Sequence, residues 1–75
     1  MNPKPQLKGI ELIETLRPAV MDIDQCAAYL TLSNSTIEKM VRKGLFPAPR
    51  QLSGRRVGYL VRELDEWLES RPVSD

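Results

Sequence analysis

The side chains of this 75-residue sequence that can do chemistry are small polar and basic residues between positions 33 and 56. Their hydroxyl, amide, ammonium and guanidinium groups can donate hydrogen bonds to phosphate oxygens and to the edges of nucleic-acid bases. The candidates are Ser33, Asn34, Ser35, Thr36, Lys39, Arg42, Lys43, Arg55 and Arg56. These residue types favour binding to a polyanion.

The composition excludes the usual catalytic and metal-binding sites. The chain has no histidine and one cysteine, Cys26, so it cannot build a four-ligand zinc site or a Cys-His or Ser-His pair. It also has no glycine-rich phosphate loop. We therefore expect no enzyme activity, no catalytic residue, no metal and no cofactor. Cys26 is predicted to be a small, buried and reduced side chain.

The charged residues are unevenly distributed, although the net charge is only +1. Residues 34–62 contain seven basic side chains and one acidic side chain, whereas residues 63–75 contain one basic and five acidic side chains. Residues 1–33 contain three basic and four acidic side chains. The sequence therefore predicts a bipolar domain with a basic middle and an acidic end, and a basic cluster of this kind is typical of nucleic-acid binding.

The length predicts one domain, over residues 20–71, between an N-terminal arm (1–19) and a short tail (72–75). Within the arm, the apolar residues of the segment 10–16 are compatible with a short helix or with a strand. The apolar runs are far shorter than the roughly 20 residues that span a bilayer, and no signal peptide is evident. We expect a cytoplasmic protein with no membrane partner.

Two short helices are predicted in the first half of the domain. Asp22 and Gln25 form a capping-box pattern that starts the first helix, and Ser33 is a good N-cap for a second helix over residues 34–43. Gly44 is expected to end this helix in the left-handed conformation. The apolar positions at helical spacing are Ile23, Cys26, Ala27, Leu30, Ile37, Met40 and Val41.

In the second half of the domain, the apolar residues no longer follow helical spacing. Pro47 and Pro49 exclude a helix, and residues 50–60 predict a short β-hairpin whose tip carries Arg55 and Arg56. A last helix follows, with Val61, Leu64, Trp67 and Leu68 on its apolar side. The predicted fold class is mainly α with a small β-hairpin, which is a winged helix-turn-helix.

The helix pair itself indicates how the polar residues would act. Two helices joined by a turn of about three residues, the second one basic, are typical of a helix-turn-helix, although an ordinary αα-hairpin has the same pattern. Asn34 and Lys39 are predicted to contact base edges, and Arg42 and Lys43 to contact phosphates. The hairpin would lie along the backbone or enter a minor groove, as a wing does.

The chain from residue 23 to residue 68 resembles the AlpA family, part of the MerR-like winged helix-turn-helix group of prophage regulators and excisionases. The motifs that carry the resemblance are LSNSTI (32–37), KGLFPAP (43–49), GYL (58–60) and LDEWL (64–68). Two positions depart from the family pattern. Thr31 stands where a glycine is usual, and Glu38 stands where tyrosine is frequent.

The resemblance implies binding to double-stranded DNA, with Ser33 as the cap and the polar residues of the second helix and the wing facing the DNA. It implies an excisionase, or recombination directionality factor, that bends attachment-site DNA beside a tyrosine recombinase (integrase). The alternative is a transcriptional regulator at a promoter. Several copies are expected to associate on tandem sites. A hypothesis of another class is a protein-interaction adaptor that docks through residues 10–16.

The acidic last helix has two interpretations. Its acidic side chains can simply be solvated, or they can contact a basic partner such as a recombinase or a neighbouring copy of the chain. The residues concerned are Glu63, Glu66 and Glu69.

Overall fold

Three helices and a three-stranded antiparallel sheet make up residues 17–74, the part of the chain that the computed structural model describes. The elements in chain order are β1 (Val20–Met21), α1 (Ile23–Leu30), α2 (Asn34–Arg42), β2 (Arg50–Ser53), β3 (Arg56–Leu60) and α3 (Val61–Glu69). This order confirms the predicted fold class. The helix or strand predicted over residues 10–16 lies outside the described residues, so the arm remains a prediction.

Helix α1 begins at the capping box that the sequence predicts. The Asp22 carboxylate accepts a hydrogen bond from the backbone N–H of Gln25 at 2.8 Å, and the Gln25 side-chain oxygen accepts one from the N–H of Asp22 at 3.0 Å. Two backbone donors that the first turn leaves without helical partners are thereby satisfied.

The turn between α1 and α2 depends on one residue with positive φ. Thr31 has φ 58°, a left-handed conformation that is uncommon for a β-branched residue. Its N–H donates to the carbonyl of Ala27, which also accepts from the N–H of Leu32 at 3.0 Å. These bonds close the end of α1 and direct Leu32 toward the core, so the turn forms with threonine where a glycine would be unstrained.

Helix α2 ends in a Schellman motif, which confirms the role predicted for Gly44. Gly44 has φ 72°, its N–H donates to Val41, and the N–H of Leu45 donates to Met40 at 2.8 Å. The helix is one residue shorter than predicted, because Lys43 is the C-cap.

The sheet contains a strand that the sequence did not predict. Strand β3 lies between β1 and β2, and Val20 of β1 pairs with Leu60. Strand β1 has only two residues, too few for an alternating pattern to be recognised. Gly58 is buried in β3, where a Cβ atom would lie 3.0 Å from Leu52 Cδ1 and 3.3 Å from Val20 Cβ. Glycine at this position therefore allows the close packing of the three strands.

The core connects the helix pair to the wing and to α3. Phe46 packs edge to face against Tyr59 of β3 and Trp67 of α3, with ring centroids 5.9 and 4.7 Å apart. The members of the buried cluster are Cys26, Leu30, Ile37, Phe46, Tyr59 and Leu64. The prediction for Leu68 was wrong: Leu64 and Trp67 take the inward positions of α3, and Leu68 is 50% exposed.

Candidate nucleic-acid interface

The start of α2 is built around the hydroxyl of Ser33. Its Oγ accepts a hydrogen bond from the backbone N–H of Thr36 at 3.1 Å and donates one to Thr36 Oγ1 at 2.8 Å. Ser35 Oγ lies 3.5 Å away. The first turn of α2 contains no acidic residue, so the partial positive charge of this helix end is not neutralised from within the helix. Such an end is suited to a phosphate oxygen.

Asn34 is held by α1. Its side-chain Nδ2 donates a hydrogen bond to Asp24 Oδ1 at 2.7 Å, and the residue is half-buried. The sequence prediction placed Asn34 at the DNA face but did not include its partner. The sequence gives little indication of this contact, because Asp24 and Asn34 are ten residues apart and only the folded turn brings them together.

The predicted outward face of α2 is exposed. Ser35, Thr36, Lys39, Arg42 and Lys43 all have high accessibility, while Ile37 on the opposite side is completely buried. Lys39 and Arg42 occupy the last turn of the helix, where a positive charge interacts favourably with the helix dipole. The structure therefore presents this part of the predicted set on one side of one helix.

The two arginines of the wing are also exposed. Arg55 lies in the turn of the hairpin, and Arg56 is the first residue of β3. The turn is shaped by Gly54, which has φ 47° and whose carbonyl accepts a hydrogen bond from the Gln51 side chain. The predicted site thus spans two elements of the fold, and within residues 17–74 no hydrogen bond joins the wing arginines to the polar residues of α2.

Ion pairing distinguishes these basic residues from three of the four other arginines in the described part of the chain; the fourth, Arg71, lies over the Trp67 ring and also has no ion pair there. The pairs within residues 17–74 are Arg17 with Asp65, Arg50 with Glu63 at 2.9 Å, and Arg62 with Glu66 at 3.3 Å. All three acids belong to α3. We call Lys39, Arg42, Lys43, Arg55 and Arg56 the basic surface; none of its members is ion-paired within the described residues.

The pairs correct the charge count made from the sequence. Arg50 and Arg62 contribute to the basic middle block, yet the structure directs both toward acids of α3. The same contacts engage Glu63 and Glu66, two of the three acids considered for a basic partner. We call Glu63, Asp65, Glu66 and Glu69 the acidic face.

A polar network holds the chain before β1 against α3. The Arg17 guanidinium donates to the Tyr29 hydroxyl at 2.9 Å and to the Asp65 carboxylate, and the Tyr29 hydroxyl donates to Asp65 Oδ1 at 2.6 Å. The hydrogen bond to Asp65 raises the pKa of Tyr29. A groove of about 570 Å³ runs between residues 17–19 and α3, and no member of the basic surface lines it.

The remaining reactive group is buried. Cys26 is fully enclosed, and burial raises the pKa of its thiol, which favours the protonated form. The part of the chain that the structure describes contains no cluster of three His, Cys, Asp or Glu side chains suited to a metal ion. No helix in the same residues is long and apolar enough to cross a membrane.

Comparison with known proteins agrees with the fold. Residues 20–72 match the family described as "Helix-turn-helix domain", and the chain belongs to that family. A relative in Enterobacteria phage P4, named "Uncharacterized protein ORF88", is 29% identical over 70 residues, which cover 93% of this chain and 80% of the phage protein. The class of protein is thus a small helix-turn-helix protein with a relative in a phage.

Proposed function

We propose that this protein binds double-stranded DNA through the basic surface and acts as an excisionase of a prophage or integrative element. The observation that carries the proposal is the contrast in ion pairing. The five exposed bases of the basic surface have no ion-pair partner in the described residues, whereas Glu63, Asp65 and Glu66 of α3 pair with three other arginines. Exposed lysine and arginine side chains without ion pairs are suited to the phosphates of DNA.

In this mechanism the protein positions DNA and performs no reaction on it. Helix α2 enters the major groove, where Asn34 in its first turn and Lys39 farther along the helix contact base edges. Arg42 and Lys43 contact phosphates near the other end of the helix. Arg55 and Arg56 place the wing on the backbone or in the adjacent minor groove, which fixes the register of the protein and favours bending.

The excisionase role rests on the AlpA resemblance and on the phage relative. Copies bound at tandem sites would bend the DNA beside an attachment site and help a tyrosine recombinase to assemble for excision. Glu69 is the one residue of the acidic face with no hydrogen bond or ion pair from its side chain within residues 17–74, so it is the acid most available to a recombinase.

Selection from a random duplex library followed by footprinting tests DNA binding and gives the preferred site. A bend assay on that site and an excision assay with the integrase of the same element test the finer role. An excisionase bends the DNA and increases excision. A promoter regulator binds a defined site and leaves excision unchanged, and a protein-interaction adaptor retards no DNA even at low salt.

A further inference from the structure

The contact between Asp24 and Asn34 has a consequence for base recognition. Asp24 lies in the first turn of α1 and Asn34 is the first residue of α2, so their 2.7 Å hydrogen bond joins the two helices at the end that approaches the DNA in a helix-turn-helix. Asp24 is exposed, and Asn34 is half-buried.

This bond fixes which side of the Asn34 amide faces outward. An ionised carboxylate only accepts hydrogen bonds, so the amide nitrogen and not the amide oxygen must face Asp24. The amide then retains its Oδ1 acceptor and a second N–H. Within residues 17–74, neither of these groups has another partner. A donor and an acceptor therefore remain available on a side chain that is held by one hydrogen bond.

The remaining pair matches one base. Adenine presents the N7 acceptor and the N6 amino donor in the major groove, and an asparagine amide satisfies both with one N–H and its oxygen. We propose that Asp24 is a positioning residue that holds Asn34 in the orientation that selects adenine. The proposal rests on the DNA-binding function proposed above and adds the residue that determines specificity at this position.

The negative charge of Asp24 also acts against DNA binding in general. Its carboxylate brings a negative charge to the start of α2, whose own first turn has none. This charge repels phosphates of any sequence, so Asp24 lowers general DNA affinity while it improves discrimination between bases. A contact that only stabilised the fold would change both affinities in the same direction.

The test uses the site selected from the random library, with each base pair replaced in turn, and a random duplex of equal length at 50 mM salt. We expect the wild-type protein to prefer adenine at one position by about 5-fold to 150-fold. In Asp24→Ala this preference falls below about threefold, while affinity for the random duplex rises about twofold to fivefold.

Three further variants separate the two effects. Asn34→Ala loses the same preference without the rise on random DNA. Glu38→Gln removes an exposed charge from α2 and raises random-duplex affinity, but keeps the preference for adenine. Asp24→Asn loses the charge and keeps an acceptor, so it shows the same rise with an intermediate preference, because its amide can hold Asn34 in either orientation.

An unchanged adenine preference in Asp24→Ala would overturn this inference and leave the proposed DNA binding intact. A loss of affinity for both duplexes in Asp24→Asn, with a thermal midpoint equal to that of wild type, would also overturn it. Absence of any sequence preference in the wild-type protein would instead overturn the proposed function.

Discussion

The basic surface and the acidic face differ in how the fold uses their charges. Glu63 pairs with Arg50 of β2 and Asp65 with Arg17 before β1, so these two acids connect other parts of the chain to α3, whereas Glu66 pairs with Arg62 one turn earlier in α3 itself. The basic surface has no such contacts within residues 17–74. Three of the four acids of the acidic face are thus engaged in ion pairs within the chain, whereas the basic side chains of α2 and the wing remain available to an external anion.

This difference explains why the near-neutral total charge is misleading. A net charge of +1 would give little attraction to DNA if the charges were mixed on every side of the molecule. The structure instead pairs Arg17, Arg50 and Arg62 with acids of α3 and leaves the basic surface without ion pairs in the described residues. The proposed DNA binding therefore depends on the local charge of the basic surface and not on the net charge, and the following variants test this dependence.

Lys39→Ala is expected to produce the largest change in binding. The variant should lose about 1–3 kcal/mol of binding free energy at the selected site, because it removes the contact to a base edge that we propose for Lys39. Titration by fluorescence anisotropy measures the loss. Arg62→Ala is the matched control, since Arg62 is paired with Glu66 and should keep affinity within about twofold. Equal losses in the two variants would remove the distinction between paired and unpaired bases.

Arg56→Ala tests the wing. Losing one phosphate contact should weaken binding about fivefold to tenfold at 0.1 M salt and reduce the salt slope by about one. The loss should be equal on selected and random duplexes, because a phosphate contact carries no sequence information. Arg71→Ala is the control, since Arg71 lies over the Trp67 ring at 4.9 Å and outside the basic surface. A loss limited to the selected site would assign Arg56 to base contact instead.

Ser33→Ala tests how the starts of α2 and α3 differ. The side chain of Ser33 caps α2, whereas Leu60, the N-cap of α3, makes no side-chain cap hydrogen bond. Removing the Ser33 hydroxyl should lower the free energy of unfolding by about 1 kcal/mol. Urea denaturation measures it, with Ser35→Ala as a control expected to stay within about 0.5 kcal/mol. A similar loss in both variants would mean that Ser33 is not the specific cap.

Glu69→Gln is expected to have the smallest effect. Its side chain makes no ion pair in the described residues, so the free energy of unfolding should change by less than about 0.5 kcal/mol. DNA affinity should stay within about twofold in the same anisotropy assay. A specific drop in the excision assay with unchanged DNA affinity would identify the acidic face as the recombinase contact. A drop in DNA affinity would contradict the separation of the two regions.

The local features of the fold were predictable because they depend on neighbours in sequence. Asp22 and Ser33 were recognised as caps, and Gly44 as the end of α2, since a cap is defined by residues within four positions. The wing followed from its prolines and glycines. The short strand β1 was not predictable, because its pairing with β3 is a long-range contact between two residues and a distant strand.

The candidate site was less predictable, because it also depends on contacts between residues that are distant in sequence. Residue types marked the outer side of α2 and the wing, but they could not indicate that Arg50 and Arg62 would pair with acids of α3. They also could not indicate that Asp24 would hold Asn34 across the turn. Contacts between elements determine which charged or polar groups remain free, and these contacts appear only in the folded chain.

The most direct test of the central claim is the salt dependence of DNA binding. If the four arginine and lysine side chains assigned to phosphates, Arg42, Lys43, Arg55 and Arg56, each neutralise one phosphate, the plot of log affinity against log salt concentration should have a slope of about −3.6. Between 50 and 200 mM salt, that slope corresponds to an affinity loss of about 150-fold. A slope near zero would contradict the account, because it would mean that the exposed bases of α2 and the wing do not contact the DNA backbone.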